Sequence, residues 1–245
     1  MPSSSSGFSA QEIIDRVVSY IGNNSEDFQE YVQNALPLAE FRWCKAHDWS
    51  FLRKVGLPLP VVNGTAEYTL DSGSIGFYMS AEDVETIYSP TGSTVLKRVD
   101  LGQIRRADPE GDDGSTSTHP QAFAPAGDNR IIIWPPGFQA QTLKVDGKIS
   151  PTPLLTLSNY PTVPFRYQDS FIEYVNALAL DRENDDRAGQ KRLEVLALIQ
   201  QDIRDDLRQL SNTDLPRIKH WREYQFDGAG ANLEALLFGL IGGDY

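Results

Sequence analysis

The period of the apolar residues changes twice along this chain, and those two changes limit the fold more than any other feature. Residues 8–48 repeat at helical spacing, residues 49–166 break into short alternating runs, and residues 167–212 return to helical spacing. One sequence cannot satisfy both periods at once, so the middle stretch must form sheet while its flanks form helix. The expected class is α+β. It consists of an antiparallel helical bundle, an inserted small antiparallel β-sandwich or barrel, and an extended C-terminal arm. The parts are residues 8–48 (first part of the bundle), 49–166 (inserted β domain), 167–212 (a helical hairpin completing the bundle) and 213–245 (the arm).

The first helical stretch opens with a capping-box pattern, Ser9 followed three residues later by Glu12. Ile13, Ile14, Val17, Val18 and Ile21 then form a stripe, which Gly22-Asn23-Asn24 ends. Ser25 can cap a second helix, with Phe28, Tyr31, Val32, Ala35, Ala39 and Trp43 on one face. Pro37 inside that pattern is expected to kink or restart it. Strands are expected at 50–59, 66–70, 83–88, 94–98, 121–125, 130–134 and 140–149. A long polar loop, 107–120, interrupts them.

In the last helical stretch Phe171, Tyr174, Val175 and Leu178 make one stripe, and a turn is expected at 184–186. Leu193, Leu196, Gln200, Ile203, Leu207 and Leu210 follow a heptad-like spacing that reads as the packing seam of the second helix. The stretch after this hairpin is rich in apolar residues: Leu215, Ile218, Trp221, Tyr224, Phe226, Leu233, Leu236, Leu237, Phe238, Leu240 and Ile241. Apolar side chains left over from a closed bundle must find cover. They can fold back on their own domain or, as an arm, dock on another subunit.

The chain carries 22 Lys and Arg against 34 Asp and Glu, a formal charge of −12. Tight duplex binding depends on neutralising phosphates, so an acidic chain is poorly suited to it, and an anionic membrane is disfavoured for the same reason. One cysteine, Cys44, allows no intrachain disulfide, and it reads as a small buried helix residue. His47, His119 and His220 are too scattered for a zinc site, and no metal or cofactor is expected. There is no nucleophile elbow, P-loop or dinucleotide fingerprint. The acidic groups Asp112-Asp113, Asp185-Asp186 and Asp202, Asp205 and Asp206 read respectively as loop, turn and solvated helix face. The start of the chain lacks the apolar core of a signal peptide and no run spans a membrane, so the Asn23 and Asn63 sequons carry no weight. Trp49, Trp134, Trp221, Tyr68, Tyr78 and Tyr88 could form a sugar platform, although Trp49 and Trp134 are expected to plug the joint between sheet and helices.

Several residue runs together resemble a known family. A helical N-terminus leads into Trp49-Ser50-Phe51-Leu52-Arg53-Lys54, then Leu57-Pro58-Leu59-Pro60-Val61 and Gly64-Thr65-Ala66-Glu67-Tyr68-Thr69-Leu70. Ile131-Ile132-Ile133-Trp134-Pro135-Pro136 closes a later strand, and the acidic hairpin 168–210 follows. In order and type of element, residues 10–210 resemble the head-to-tail adaptor (head-completion) proteins of tailed bacteriophages. Asp71-Ser72-Gly73 stands where that resemblance leads one to expect a proline.

The resemblance implies a structural virion protein rather than an enzyme. It implies a ring, usually of twelve copies, at the virion neck after synthesis in the bacterial cytoplasm. The ring docks on the portal protein, extends the DNA channel so that genomic DNA passes without specific binding, and offers a platform to tail or nozzle proteins. In some members the C-terminal arm reaches the portal. The alternatives are a carbohydrate- or receptor-binding β module and a cell-wall hydrolase.

Overall fold

The computed structural model describes residues 7–90, 94–107, 119–136, 140–152, 154 and 156–212. These residues form two compact units. One is built from the chain before Phe51 and after Ser150, the other from Phe51–Ser150.

The first unit is helical. Helix α1, Ala10–Ile21, starts at the capping box: Ser9 Oγ accepts from the Glu12 amide at 3.3 Å, and Glu12 Oε2 accepts from the Ser9 amide at 2.7 Å. It stops where Gly22 takes the left-handed conformation (φ 81°), which a residue with a Cβ adopts at a cost. Helix α2, Glu26–Lys45, begins at Ser25, whose Oγ accepts from the Phe28 amide at 3.3 Å. It runs through Pro37 without restarting. Proline removes one helical hydrogen bond. Phe28, Val32, Leu36, Ala39, Trp43 and Cys44 are buried on both sides of that position, and their packing holds the helix together.

Helices α4, Phe165–Arg182, and α5, Ala188–Asn212, complete the unit; the short α3, Leu101–Ala107, belongs to the other. α4 packs against α1, α2 and α5, and this central position explains why most of it is buried, from Tyr167 to Leu180. The α4–α5 turn is fixed by Asn184 at φ 51° and by Asp185, which accepts from the Arg187 amide at 2.8 Å.

The expected seam of α5 is corrected by the structure. Leu193 is 67% exposed, whereas Ala188, Val195, Leu196, Ile199, Ile203 and Asp206 are buried. Two charged contacts to α4 account for this rotation. Arg192 Nε donates to Asp181 Oδ2 at 2.9 Å, and Lys191 pairs with Glu173. Both contacts turn the 188–192–195–199 edge, rather than Leu193, toward α4.

Among its described residues the second unit holds eight strands and the short helix α3. The strands are β1 (Arg53–Val61), β2 (Glu67–Thr69), β3 (Met79–Ser89), β4 (Thr94–Val95), β5 (Lys97–Arg98), β6 (Ala122–Pro125), β7 (Arg130–Trp134) and β8 (Gln141–Ile149). They form two four-stranded sheets, ordered β1-β8-β3-β4 and β2-β7-β6-β5. Leu57 and Leu59 of β1 lie opposite Val145 and Leu143 of β8, and both pairs are buried. Phe123, Ile131 and Ile133 bury the inner face of the second sheet.

Three expectations for this region change. The two sheets end in open edges, so there is no closed barrel, and β5 pairs parallel with β6, so the second sheet is mixed. The single strand expected at 94–98 is two strands in different sheets, divided at Leu96, which is 3% exposed. Burying Leu96 requires the chain to step from one sheet to the other at that residue. The stretch just ahead of the loop expected at 107–120 is helix α3, Leu101–Ala107, whose start is braced by Asp100 Oδ1 accepting from the Gly102 amide at 2.7 Å; residues 108–118 of that loop lie outside the described residues.

Two local devices shape the sheets. Asp71 forms the turn where a proline was expected, its Oδ1 accepting from the amides of Gly73 (3.0 Å) and Ser74 (2.9 Å). β8 passes so close to the irregular part of β3 that a Cβ on Gly147 would lie 2.5 Å from the Asp83 carbonyl oxygen. Only glycine fits there without a shift of backbone.

Candidate functional site

The chemistry-bearing residues of the helical unit converge on Asp206. This carboxylate is fully buried, near the end of α5. Its Oδ2 accepts from the Ser50 amide at 2.9 Å and lies 3.4 Å from His47 Nε2. Its Oδ1 accepts from the Ser50 hydroxyl and from the Tyr167 hydroxyl (3.2 Å), with Arg166 Nη2 at 3.8 Å. One side chain therefore ties the segment after α2, the start of α4 and the end of α5 together. Burial works against its ionisation. The hydrogen bonds from His47 and Ser50 outweigh burial and hold the carboxyl below the usual range.

An aromatic stack closes over this knot. The Trp43 and Trp49 rings lie 4.3 Å apart and nearly parallel, and Trp49 Nε1 donates to the Trp43 carbonyl at 3.2 Å. The Tyr167 ring is 5.2 Å from Trp49, and His47 meets Trp49 edge-on at 5.0 Å. Trp49 is thus a core residue of the helical unit, and Trp134 closes β7 in the other unit.

Ser50, His47 and Asp206 are the residue types of a nucleophilic triad, but they are wired differently. In a triad the imidazole takes the serine proton while the carboxylate orients the far ring nitrogen. Here the Ser50 hydroxyl donates to the carboxylate itself, and the same carboxylate faces His47 Nε2. This arrangement fixes backbone segments in place, and it differs from a triad in that the hydroxyl's partner is the carboxylate rather than the imidazole.

Of two further carboxyls in the same unit, Glu40 is buried and Asp202 half-buried. Glu40, on α2, is 1% exposed and accepts from the Thr162 amide, which pins the segment ahead of α4. Burial pushes it up to about 7, partly offset by hydrogen bonds from Thr162 and Val163. Asp202 is raised to about 6 by burial and by the nearby charges of Asp205 and Asp169, against a hydrogen bond from Ser170 that lowers it. Its Oδ2 is buried without a hydrogen-bond partner. The reading of Asp202 and Asp206 as a solvated face is therefore corrected: α5 turns them inward along with Ile199 and Ile203.

In the β unit, Tyr68 is buried and its hydroxyl secures the turn before it, accepting from the Val62 amide at 3.0 Å and donating to the Thr65 carbonyl at 2.8 Å. Tyr88 lies on β3 in the first sheet, Trp134 on β7 in the second, and the exposed Tyr78 just before β3. These rings do not share one sheet face.

Among the described residues, no group of three or more His, Cys, Asp or Glu side chains is placed to hold a metal ion. No helix there is long and apolar enough to cross a membrane. The arm residues Leu215, Ile218, Trp221, Tyr224, Phe226, Leu233, Leu236, Leu237, Phe238, Leu240 and Ile241 lie outside the described residues.

A family model described as SU10 adaptor protein matches residues 8–219. The chain belongs to the SU10 adaptor protein family. It is a bacteriophage adaptor, and the match extends across both units. No curated protein matches this adaptor.

Of the residues that build the adaptor's knot, the sequence pattern put Trp43 on the packing face of the second helix, read Trp49 as a plug between sheet and helices and Asp206 as part of a solvated face, and gave His47 no role. A signal existed in α5. A period-matched stripe through Ala188, Val195, Ile199, Ile203 and position 206 is as regular as the leucine seam, but it places an aspartate at its end.

Proposed function

We propose that this adaptor assembles as a ring, of twelve copies in the usual arrangement, that docks on the portal protein at the virion neck. The ring extends the DNA channel and gives tail or nozzle proteins a platform. The observation that carries this reading is the family match over residues 8–219. Two further features support it. A ring needs a heterologous interface in which one patch meets a different patch on the next copy, and a helical unit and a β unit provide unlike surfaces. The formal charge of −12 per copy makes a ring strongly negative, so channel walls that repel phosphates let DNA slide without specific binding. The helices of the first unit serve as the bundle of this ring, and residues 213–245 serve as the arm that engages the portal or a neighbouring copy.

Co-purification tests it. The full chain and a chain ending at residue 212 are each mixed with the portal encoded in the same genome, and the complexes are weighed by native mass spectrometry. Retention of the full chain in a defined multiple, with loss of the shortened one, is the expected result. Equal retention of both removes the arm from portal binding. Retention of neither removes portal docking altogether. The carbohydrate- or receptor-binding reading calls for a row of exposed rings on one sheet face, which the placement of Tyr68, Tyr88 and Trp134 does not provide.

A further inference from the structure

The helical unit leaves an aromatic surface uncovered at the start of α4. Phe165 is 52% exposed, Tyr160 62% and Leu157 38%. The Phe8 ring lies 6.0 Å from that of Phe165. Backbone bonds from the Ala10 amide to Asn159 (2.9 Å) and from the Gln11 amide to Leu157 (3.0 Å) hold the 157–160 segment beside the start of α1. The Phe8 and Phe165 rings thus meet, with the segment that carries the exposed Leu157 and Tyr160 held alongside. Surfaces of this kind on a folded unit mark contact sites.

The last turns of α5 reach the same place. Gln209 Oε1 accepts from Arg166, the residue next to Phe165, and Arg166 also faces Asp206. Beyond Asn212 the sequence continues to Tyr245 and carries Leu233, Leu236, Leu237, Leu240 and Ile241 at i, i+3, i+4, i+7 and i+8. That spacing is the apolar stripe of an amphipathic helix. The other chain end, residues 1–6, is mostly serine and has no comparable stripe.

We propose that the 233–241 segment of the same chain docks on the Phe8–Leu157–Tyr160–Phe165 surface before the protein joins any partner. Reach is no obstacle. The stretch from Asn212 to Leu233 can extend to on the order of 70 Å, far beyond the distance to a surface beside the end of α5. Such a tether sets an effective concentration of about millimolar, well above that of a second copy at micromolar protein, so the chain's own segment takes the seat first. Docking shelters two apolar surfaces at once and keeps the arm from premature association. Release of the segment then becomes the step at which a partner competes for it. The inference goes beyond the adaptor reading, because it concerns the isolated chain.

Hydrogen exchange on the isolated full-length protein tests it. Amides of 233–241 should exchange at least about tenfold more slowly than an unstructured peptide, equally at low and high micromolar concentration. In the Tyr160→Ser/Phe165→Ser protein that protection should vanish, while core amides around Leu178 in α4 stay slow. Conversely, Leu236→Asp/Leu237→Asp, which alters only the tail, should raise hydroxyl-radical labelling of Tyr160 and Phe165 about threefold, in line with their uncovering. Three results overturn the proposal: an unprotected segment in the unaltered chain, protection that survives both pairs of substitutions, or protection that grows with protein concentration, which would seat the segment on a second copy. None of these measurements involves the portal, so the inference can fail while portal docking stands, or the reverse.

Discussion

The two units bury their cores by different means. Among its described residues the helical unit buries the carboxyls of Glu40 and Asp206, half-buries that of Asp202, and uses Glu40 and Asp206 to anchor neighbouring segments. Among its described residues the β unit buries no charged side chain, and its ion pairs, such as Arg130–Glu67 at 2.9 Å and Arg53–Glu85 at 3.8 Å, are on the surface. A sheet satisfies its backbone groups through its ladders and needs no buried charge to do so. Segments that meet at the ends of helices carry unpaired amides, and a buried carboxylate is one way to satisfy several of them at once. The difference teaches that the helical unit should respond to pH and to loss of a single polar atom, while the β unit should respond to volume.

The largest effect should come from Asp206→Ala. It strips partners from Ser50, Tyr167 and His47 in a buried place and should cost about 3–5 kcal/mol, read from urea unfolding followed by helical circular dichroism. A loss below about 1 kcal/mol would remove the distinction between the units. Next comes the pH response. Glu40 is raised to about 7 in the folded chain, so its contribution to stability is present below its unfolded value near 4.5 and is lost as pH rises through 7. That amounts to about 3 kcal/mol of pH-dependent stability between those limits, which Glu40→Gln should remove. Asp202, raised to about 6, acts in the same direction. Asp206, whose carboxyl is held low, acts in the opposite one: its contribution is present above its unfolded value and is lost as pH falls through the folded one. The unit should therefore be most stable in mildly acidic solution, which thermal melts from pH 3 to 8 can check.

The β unit supplies the smaller effects. Gly147→Ala drives a Cβ against the Asp83 carbonyl and should cost about 1–3 kcal/mol with no change in pH dependence, measured by urea unfolding at two pH values. Arg130→Ala, at a pair in which both side chains are about half exposed, should change stability by no more than about 1 kcal/mol in the same assay. If Arg130→Ala rivals Asp206→Ala, charge is not confined to the helical unit as a structural device.

Much of the fold is legible along the chain because it is local. The Ser9–Glu12 box, the Gly22 stop and the Phe171–Leu178 stripe each depend on residues a few positions apart. Strands β6, β7 and β8 show in their Val, Ile and Phe runs. Where the reading slipped, distant residues decided. Leu193 looks like a seam residue until Arg192 and Lys191 find Asp181 and Glu173. Residues 94–98 look like one strand until Leu96 is drawn into a core that belongs to both sheets. Proline at 37 looks like a break until the burial of Leu36, Ala39 and Trp43 outweighs one lost hydrogen bond.

The sequence by itself determined the α+β class, the acidic character and the helix caps, because short-range sterics and hydrogen bonding fix them. Only the tertiary structure decided that Asp206 sits beneath Trp49 with Ser50 and Tyr167, residues 156 and 39 positions away in the chain. The energy of a buried charge depends on which partners surround it, and the linear order of residues does not specify that company.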